Sequence, residues 1–206
     1  MSAFHFDETR SSRKITPKVG EFQMGLVRAA AGIFSVLMVG LLSGCGSDGS
    51  KGSDSDSISV RINELQPSNQ TTITDENDEA DDWIEFYNTG DTDVDLAGYF
   101  LSDDSADLEK FTFTTNAVVP AGGVLLVWAD GVDQTTQGPL HVGFKLSASG
   151  GDRVMLTSPD GYVVDQITFD IPPGAQYSYG RFPDGTGEFE WCATATPKAA
   201  NGNACQ

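Results

Sequence analysis

From residue 58 to residue 182 apolar and polar residues alternate in short runs, and that period restricts the chain to strands. Ile58, Val60 and Ile62 interleave with Ser59, Arg61 and Asn63. A strand throws successive side chains to opposite faces, so this spelling gives one face for a core and one for water. The same alternation recurs at residues 83–87, 94–96, 111–113, 153–157, 162–169 and 177–182, and residues 124–128 are continuously apolar. Turn-forming groups separate the runs: Asn88-Thr89-Gly90-Asp91, Pro120-Ala121-Gly122-Gly123, Gly150-Gly151-Asp152, Pro159-Asp160-Gly161 and Pro172-Pro173-Gly174. No stretch here carries a helical period. Many short strands punctuated by Gly and Pro predict an all-β domain, a sandwich or a barrel, over residues 58–191. A domain of that size buries over ~60% of its unfolded surface.

A different segment precedes it. Residues 29–42 read AAAGIFSVLMVGLL, without a charge and directly after Arg28. As a helix they would span about 21 Å, short of the ~30 Å hydrocarbon core of a bilayer. The segment suits the apolar region of a signal peptide instead, over residues 1–44, with Met24 as a second candidate start. It ends in Leu42-Ser43-Gly44-Cys45, which resembles the lipobox of bacterial lipoproteins. That resemblance implies cleavage of the Gly44–Cys45 bond and a thioether lipid on Cys45. Several acyl chains, at about 0.8 kcal/mol per buried methylene, hold a protein on a membrane stably. Gly46, where such lipoproteins carry Asp for inner-membrane retention, implies the outer membrane and a place in the cell envelope.

The next residues, GSDGSKGSDSDS at 46–57, offer nothing to bury and predict a disordered tether. With Cys45, they set the domain roughly 17–21 Å from its anchor. The whole chain holds 30 acidic and 12 basic side chains, a net charge of -18. Residues 1–44 hold five basic and three acidic groups, so the remainder is the acidic part. Nucleic-acid binding needs clustered Lys and Arg, and the scattered basic groups after Cys45 exclude it as an expectation.

Three cysteines in an exported chain leave one over, and the lipid accounts for Cys45. Cys192 and Cys205 then pair as a disulfide in an oxidising exterior, or remain free thiols or metal ligands. As a disulfide they close about 14 residues, worth roughly 3 kcal/mol in the chain-entropy model, and clamp a tail over residues 192–206.

A set of short motifs follows in order. They are Ile62-Asn63-Glu64-Leu65, Asp82-Trp83-Ile84-Glu85-Phe86-Tyr87-Asn88 and Val94-Asp95-Leu96-Ala97-Gly98-Tyr99-Phe100-Leu101-Ser102-Asp103. Pro120-Ala121-Gly122-Gly123, Val127-Trp128-Ala129-Asp130, Phe144-Lys145-Leu146-Ser147, Val164-Asp165 and Ser178-Tyr179-Gly180-Arg181 complete it. In this order they resemble the bacterial lamin-tail domains, over residues 58–182. The resemblance implies an immunoglobulin-like β-sandwich with Trp83, Ile84 and Phe86 in its core, a turn at Asn88 and Gly90, and a bend at Gly98. It implies an interaction or structural module rather than a reaction.

Chemistry-bearing residues are few. His141 is the lone histidine after Cys45 and reads as a loop residue. No Gly-x-Ser-x-Gly elbow is present. The acidic stretch Asp75-Glu76-Asn77-Asp78-Glu79-Ala80-Asp81-Asp82 offers oxygen ligands of the kind calcium takes, with Asp75, Asp78, Asp81 and Asp82 as candidates. It lacks the glycine and terminal Glu spacing of an EF-hand. The expectation is a lipid-anchored, non-enzymatic module with a protein or polysaccharide partner and no cofactor beyond a structural calcium. The alternative is a small hydrolase that uses carboxylates or calcium on cell-envelope or extracellular polymers.

Overall fold

The computed structural model describes residues 58–134 and 138–205. The signal segment, Met24, the Gly44–Cys45 bond and the tether fall outside the described residues. The strands are β1 (Val60–Gln66), β2 (Asp82–Asn88), β3 (Val94–Asp95), β4 (Phe100–Ser102), β5 (Phe111–Thr112), β6 (Val118–Val119), β7 (Val124–Ala129), β8 (Leu140–His141), β9 (Asp152–Thr157), β10 (Val163–Phe169), β11 (Ser178–Phe182) and β12 (Glu188–Cys192). A 3-10 turn at Gly202–Cys205 ends the described chain.

One sheet runs β12-β11-β1-β2-β7-β8 and the other β10-β9-β4-β5, with β3 and β6 as a separate pair. All pairings are antiparallel except β7 with β8. This is the immunoglobulin-like β-sandwich. Its core lies between the sheets: Ile62, Leu65, Ile84, Phe86 and Val127 from the larger, Leu101, Phe111, Val154 and Leu156 from the smaller. Phe113 meets Phe86 and Phe111 edge-on, with ring centroids 6.0 and 5.1 Å away. Burying side chains of this size stabilises by about 1.5–3 kcal/mol each.

Strict alternation cannot place both Ile62 and Leu65 in that core, because they are three residues apart. A bulge between Ile62 and Glu64 supplies the missing step. Both side chains are then fully buried, and the strand extends past the simple alternation to Gln66. Asn88 organises the turn after β2. Its amide donates to Thr92 O and Val119 O, and its carbonyl oxygen accepts from Gly90 N and Ser59 Oγ. Gly98 sits at φ 87°, a conformation that favours glycine.

The ladder between β1 and β11 pairs Glu64 with Gly180 and Leu65 with Tyr179 and stops at the bulge, short of Ile62. Side chains fill the gap. Ile62 N donates to Asp165 Oδ2 of β10, and Arg181 Nε donates to Ile62 O. The Arg181 guanidinium also pairs with Asp165 at 3.0 Å and lies 4.4 Å over the Phe189 ring. Tyr179 stacks on Phe189 and meets Trp191 at a tilt along the inner face of β11 and β12. This row extends the core where the smaller sheet ends.

Cys192 and Cys205 form a disulfide, which removes the alternatives of free thiols and metal ligands. The bond folds the C-terminal segment back over the outer face of β11. Gly180 lies directly beneath it: a Cβ there would come within 2.8 Å of Asn201 Nδ2 and 3.1 Å of Cys192 Sγ.

Candidate functional site

The outer face of the larger sheet is where polar chemistry collects. The strand register aligns Gln66, Trp83, Trp128 and His141 in one row across β1, β2, β7 and β8. A second row aligns Gly180, Glu64 and Glu85 across β11, β1 and β2. An antiparallel sheet often leaves such a face to water. In this protein Trp83, Glu64, Glu85 and Gln66 are all fully buried, covered mainly by two segments, with Ala175 of the loop between β10 and β11 reaching Gln66. Trp83 therefore packs on this outer face, opposite Ile84 and Phe86. Its indole N–H donates to Gln66 Oε1 at 2.9 Å, and the Gln66 amide donates to Thr72 Oγ1 and Ala175 O.

The first cover is the acidic loop between β1 and β2. Asp75 organises it. Its Oδ1 accepts the main-chain N–H of Asn77 and Glu79, at 2.8 and 2.9 Å, and its Oδ2 accepts the Asn77 amide. Burial acts to raise the Asp75 pKa, but these hydrogen bonds together hold it below the ordinary carboxylate value. Asp82 turns the other way and accepts Ser68 N and Leu146 N. Asp78 is exposed at φ 64°. Of the four calcium candidates, only Asp75 and Asp81 come together, joined by Glu79, with ligand oxygens within 4.8 Å of one another. Asp78 and Asp82 belong to no such group among the described residues.

His141 corrects the sequence expectation of a loop residue. It lies on β8, paired in parallel with Trp128, and is 3% exposed. Its Nδ1 is 2.8 Å from Asp130 Oδ2 and its Nε2 is 3.2 Å from Glu76 Oε2. Gln134 Nε2 donates to the other oxygen of Glu76. Desolvation acts to lower the His141 pKa, but its hydrogen bonds to the carboxylates of Asp130 and Glu76, with their charges, outweigh it and the net shift is upward. An imidazolium can donate from both nitrogens at once, which a neutral ring cannot. His141 thus bridges the acidic loop to the end of β7. Asp75, Asp130 and His141 also bring ligand atoms within 4.8 Å of one another. The hydrogen bonds already made by each of them account for the arrangement as a latch.

The second cover is the C-terminal segment. Glu64 Oε1 accepts the Ser178 hydroxyl and the N–H of Thr196, and Oε2 accepts the Thr196 hydroxyl. Glu85 Oε2 accepts Lys198 N at 2.6 Å. Asp184 Oδ1 accepts from Asn63 and from Asn201 N. Asn201 donates to Asn63 O and Arg181 O, which pins the segment across β1 and β11. Burial raises the Glu64 pKa, and burial followed by repulsion from Glu64 pushes Glu85 up to about 8, against the Lys198 N–H that favours its anion.

The family profile described as Lamin Tail Domain matches residues 53–170. The chain belongs to the lamin tail domain family. Comparison with curated proteins finds no match. Within this lamin tail domain, the acidic loop, Asp130 and His141 all fall inside the matched residues. β11, β12, the disulfide and the segment over Glu64 and Glu85 follow it. Gly44 and Cys45 precede it.

Sequence reasoning missed Glu76, Asp130, Glu64 and Glu85 as interacting residues. Glu64 and Glu85 stood in the motifs that carried the family resemblance, yet they spell the wet side of their strands. Their burial depends on residues far along the chain, which no local period reports.

Proposed function

We propose that this lamin tail domain is the non-enzymatic module of an exported lipoprotein, anchored through Cys45 and held off the outer membrane by the tether at 46–57. Its partner is a protein or polysaccharide of the cell envelope or its surroundings, and not a nucleic acid. The observation that favours a module over a hydrolase is the burial of Glu64 and Glu85. A carboxylate pair that cleaves a polymer must meet its substrate, and this pair is closed under the C-terminal segment. The spacing of the lipobox, tether and first strand supports the anchoring.

The test is metabolic labelling of the full chain with a radioactive fatty acid, followed by crosslinking in intact cells. Label on the wild type that is lost in Cys45→Ser, with a crosslinked partner recovered from the envelope, supports the reading. Equal label on both proteins overturns the anchor. Turnover of a cell-wall or extracellular polysaccharide by the purified chain overturns the non-enzymatic assignment.

A further inference from the structure

Glu64 and Glu85 face each other across β1 and β2, and neither reaches solvent. Their surroundings are short of positive charge. β7 sets Leu126 opposite Glu85, and β11 sets Gly180 opposite Glu64, with the exposed Glu190 of β12 beyond it. The turn between β11 and β12 adds Asp184, whose charge raises both glutamate pKa values. The C-terminal segment contributes the hydroxyl of Thr196 and the main-chain N–H groups of Thr196 and Lys198, while Lys198 itself is exposed. Glu85 Oε1 is buried without a hydrogen bond of good geometry among the described residues, although the Asn63 side chain acts to favour the Glu85 anion.

Two anions this close in a dry layer are costly, so the closed arrangement needs a proton on the pair. Water reaches the pair by displacing the segment above it. That segment carries strain of its own: Lys198, which donates to Glu85, is held at φ 63°, a conformation that costs a non-glycine residue about 1 kcal/mol or more. Its two ends are tied together by the Cys192–Cys205 bond.

We propose that the C-terminal segment 193–204 is a strap locked by protonation of the buried Glu64–Glu85 pair, and that it lifts reversibly when the pair ionises. The disulfide keeps both ends in place, so the strap bows outward without leaving the domain. This device is independent of the anchor and of the partner. In the closed form Glu85 gives up its proton at about 8, against an ordinary value of 4.5 in water. Between those limits the lifted population rises about tenfold for each pH unit and then levels off.

Trypsin cleavage after Lys198 reads that population, because cleavage of a transiently open segment follows its equilibrium when closing is fast. The purified full chain is digested without reductant, and the rate at the Lys198–Ala199 bond is divided by that of a short peptide of the same flanking sequence at each pH. The expected ratio climbs about tenfold per unit from pH 6 to 8. In Glu85→Gln, which keeps the shape and loses the titrating proton, the climb disappears. A ratio independent of pH in the wild type, or an equal climb in Glu85→Gln, overturns the proposal. If that variant does not fold, the wild type decides alone: the Thr196 and Lys198 amide resonances must shift together with a midpoint near 8. Resonances that stay fixed from pH 6 to 9 overturn it as well.

Discussion

Asp165 and Arg181 together do for Ile62 what a neighbouring strand would do: one accepts its N–H and the other donates to its carbonyl. They lie on β10 and β11, in different sheets, so the same pair ties the two layers together. Arg181 also donates to Gly187 O, which steadies the turn into β12. Arg181→Ala removes the pair, the backbone bonds and the packing on Phe189. We expect a loss of about 3 kcal/mol, read from urea unfolding. Arg181→Lys keeps the charge but not the planar fork, so it recovers less than half of that loss. Full recovery by lysine would show that charge alone matters.

The buried glutamates set a pH dependence of overall stability. An acid whose folded-state pKa is raised stabilises the fold below its unfolded value, and loses that contribution as pH rises through the folded one. For Glu85 the window runs from 4.5 to about 8. The urea midpoint is therefore expected to be higher at pH 5.5 than at pH 8, with Glu85→Gln flattening the difference. A midpoint that rises over this interval would contradict the assignment.

Removing the disulfide tests the C-terminal cover separately. Both sulfurs are buried, so Cys192→Ala with Cys205→Ala is the milder replacement. The expected cost is about 3 kcal/mol, with the far-ultraviolet signature of the sheets retained, because the core between the sheets does not include these residues. Loss of all sheet signal at neutral pH would mean that the cover is required for folding.

The acidic loop makes its own hydrogen bonds, and this bears on calcium. Asp75→Ala uncaps two main-chain N–H groups and is expected to cost about 1–2 kcal/mol. Millimolar calcium is expected to leave the melting temperature of the wild type unchanged within about 1 °C, a shift well below that from 1 kcal/mol. A larger rise that vanishes in Asp81→Asn would establish a structural ion bound by Asp75, Glu79 and Asp81.

Longer strands were legible because their side chains obey a period. β2, β7, β9, β10 and β11 each fall within two residues of the runs read from sequence. β3 and β5 are only two residues long, yet each lies in an alternating run. β6 and β8 have no such run to announce them. β12 spells Glu-Phe-Glu-Trp-Cys, a clean alternation that was open to reading beside its Gly-rich turn. His141 was beyond reach for another reason. Its place depends on the parallel pairing of β8 with β7, which brings Trp128 beside it and Asp130 to its ring. Family motifs identified the sandwich, while the covering of its outer face came from loops whose partners are remote in sequence.

β1 is the first described strand to be synthesised and lies in the interior of its sheet. Its Glu64 is sealed by Ser178 and Thr196, 114 and 132 residues later. A chain made from its amino end can pair β1 with β2 early, but it must hold β1's other edge and its buried acid open until Ser178 and Thr196 arrive. The domain consequently matures from its carboxyl end, and a truncated product would display an unfinished sheet edge beside exposed carboxylates. Quality control by proteases would meet that edge first.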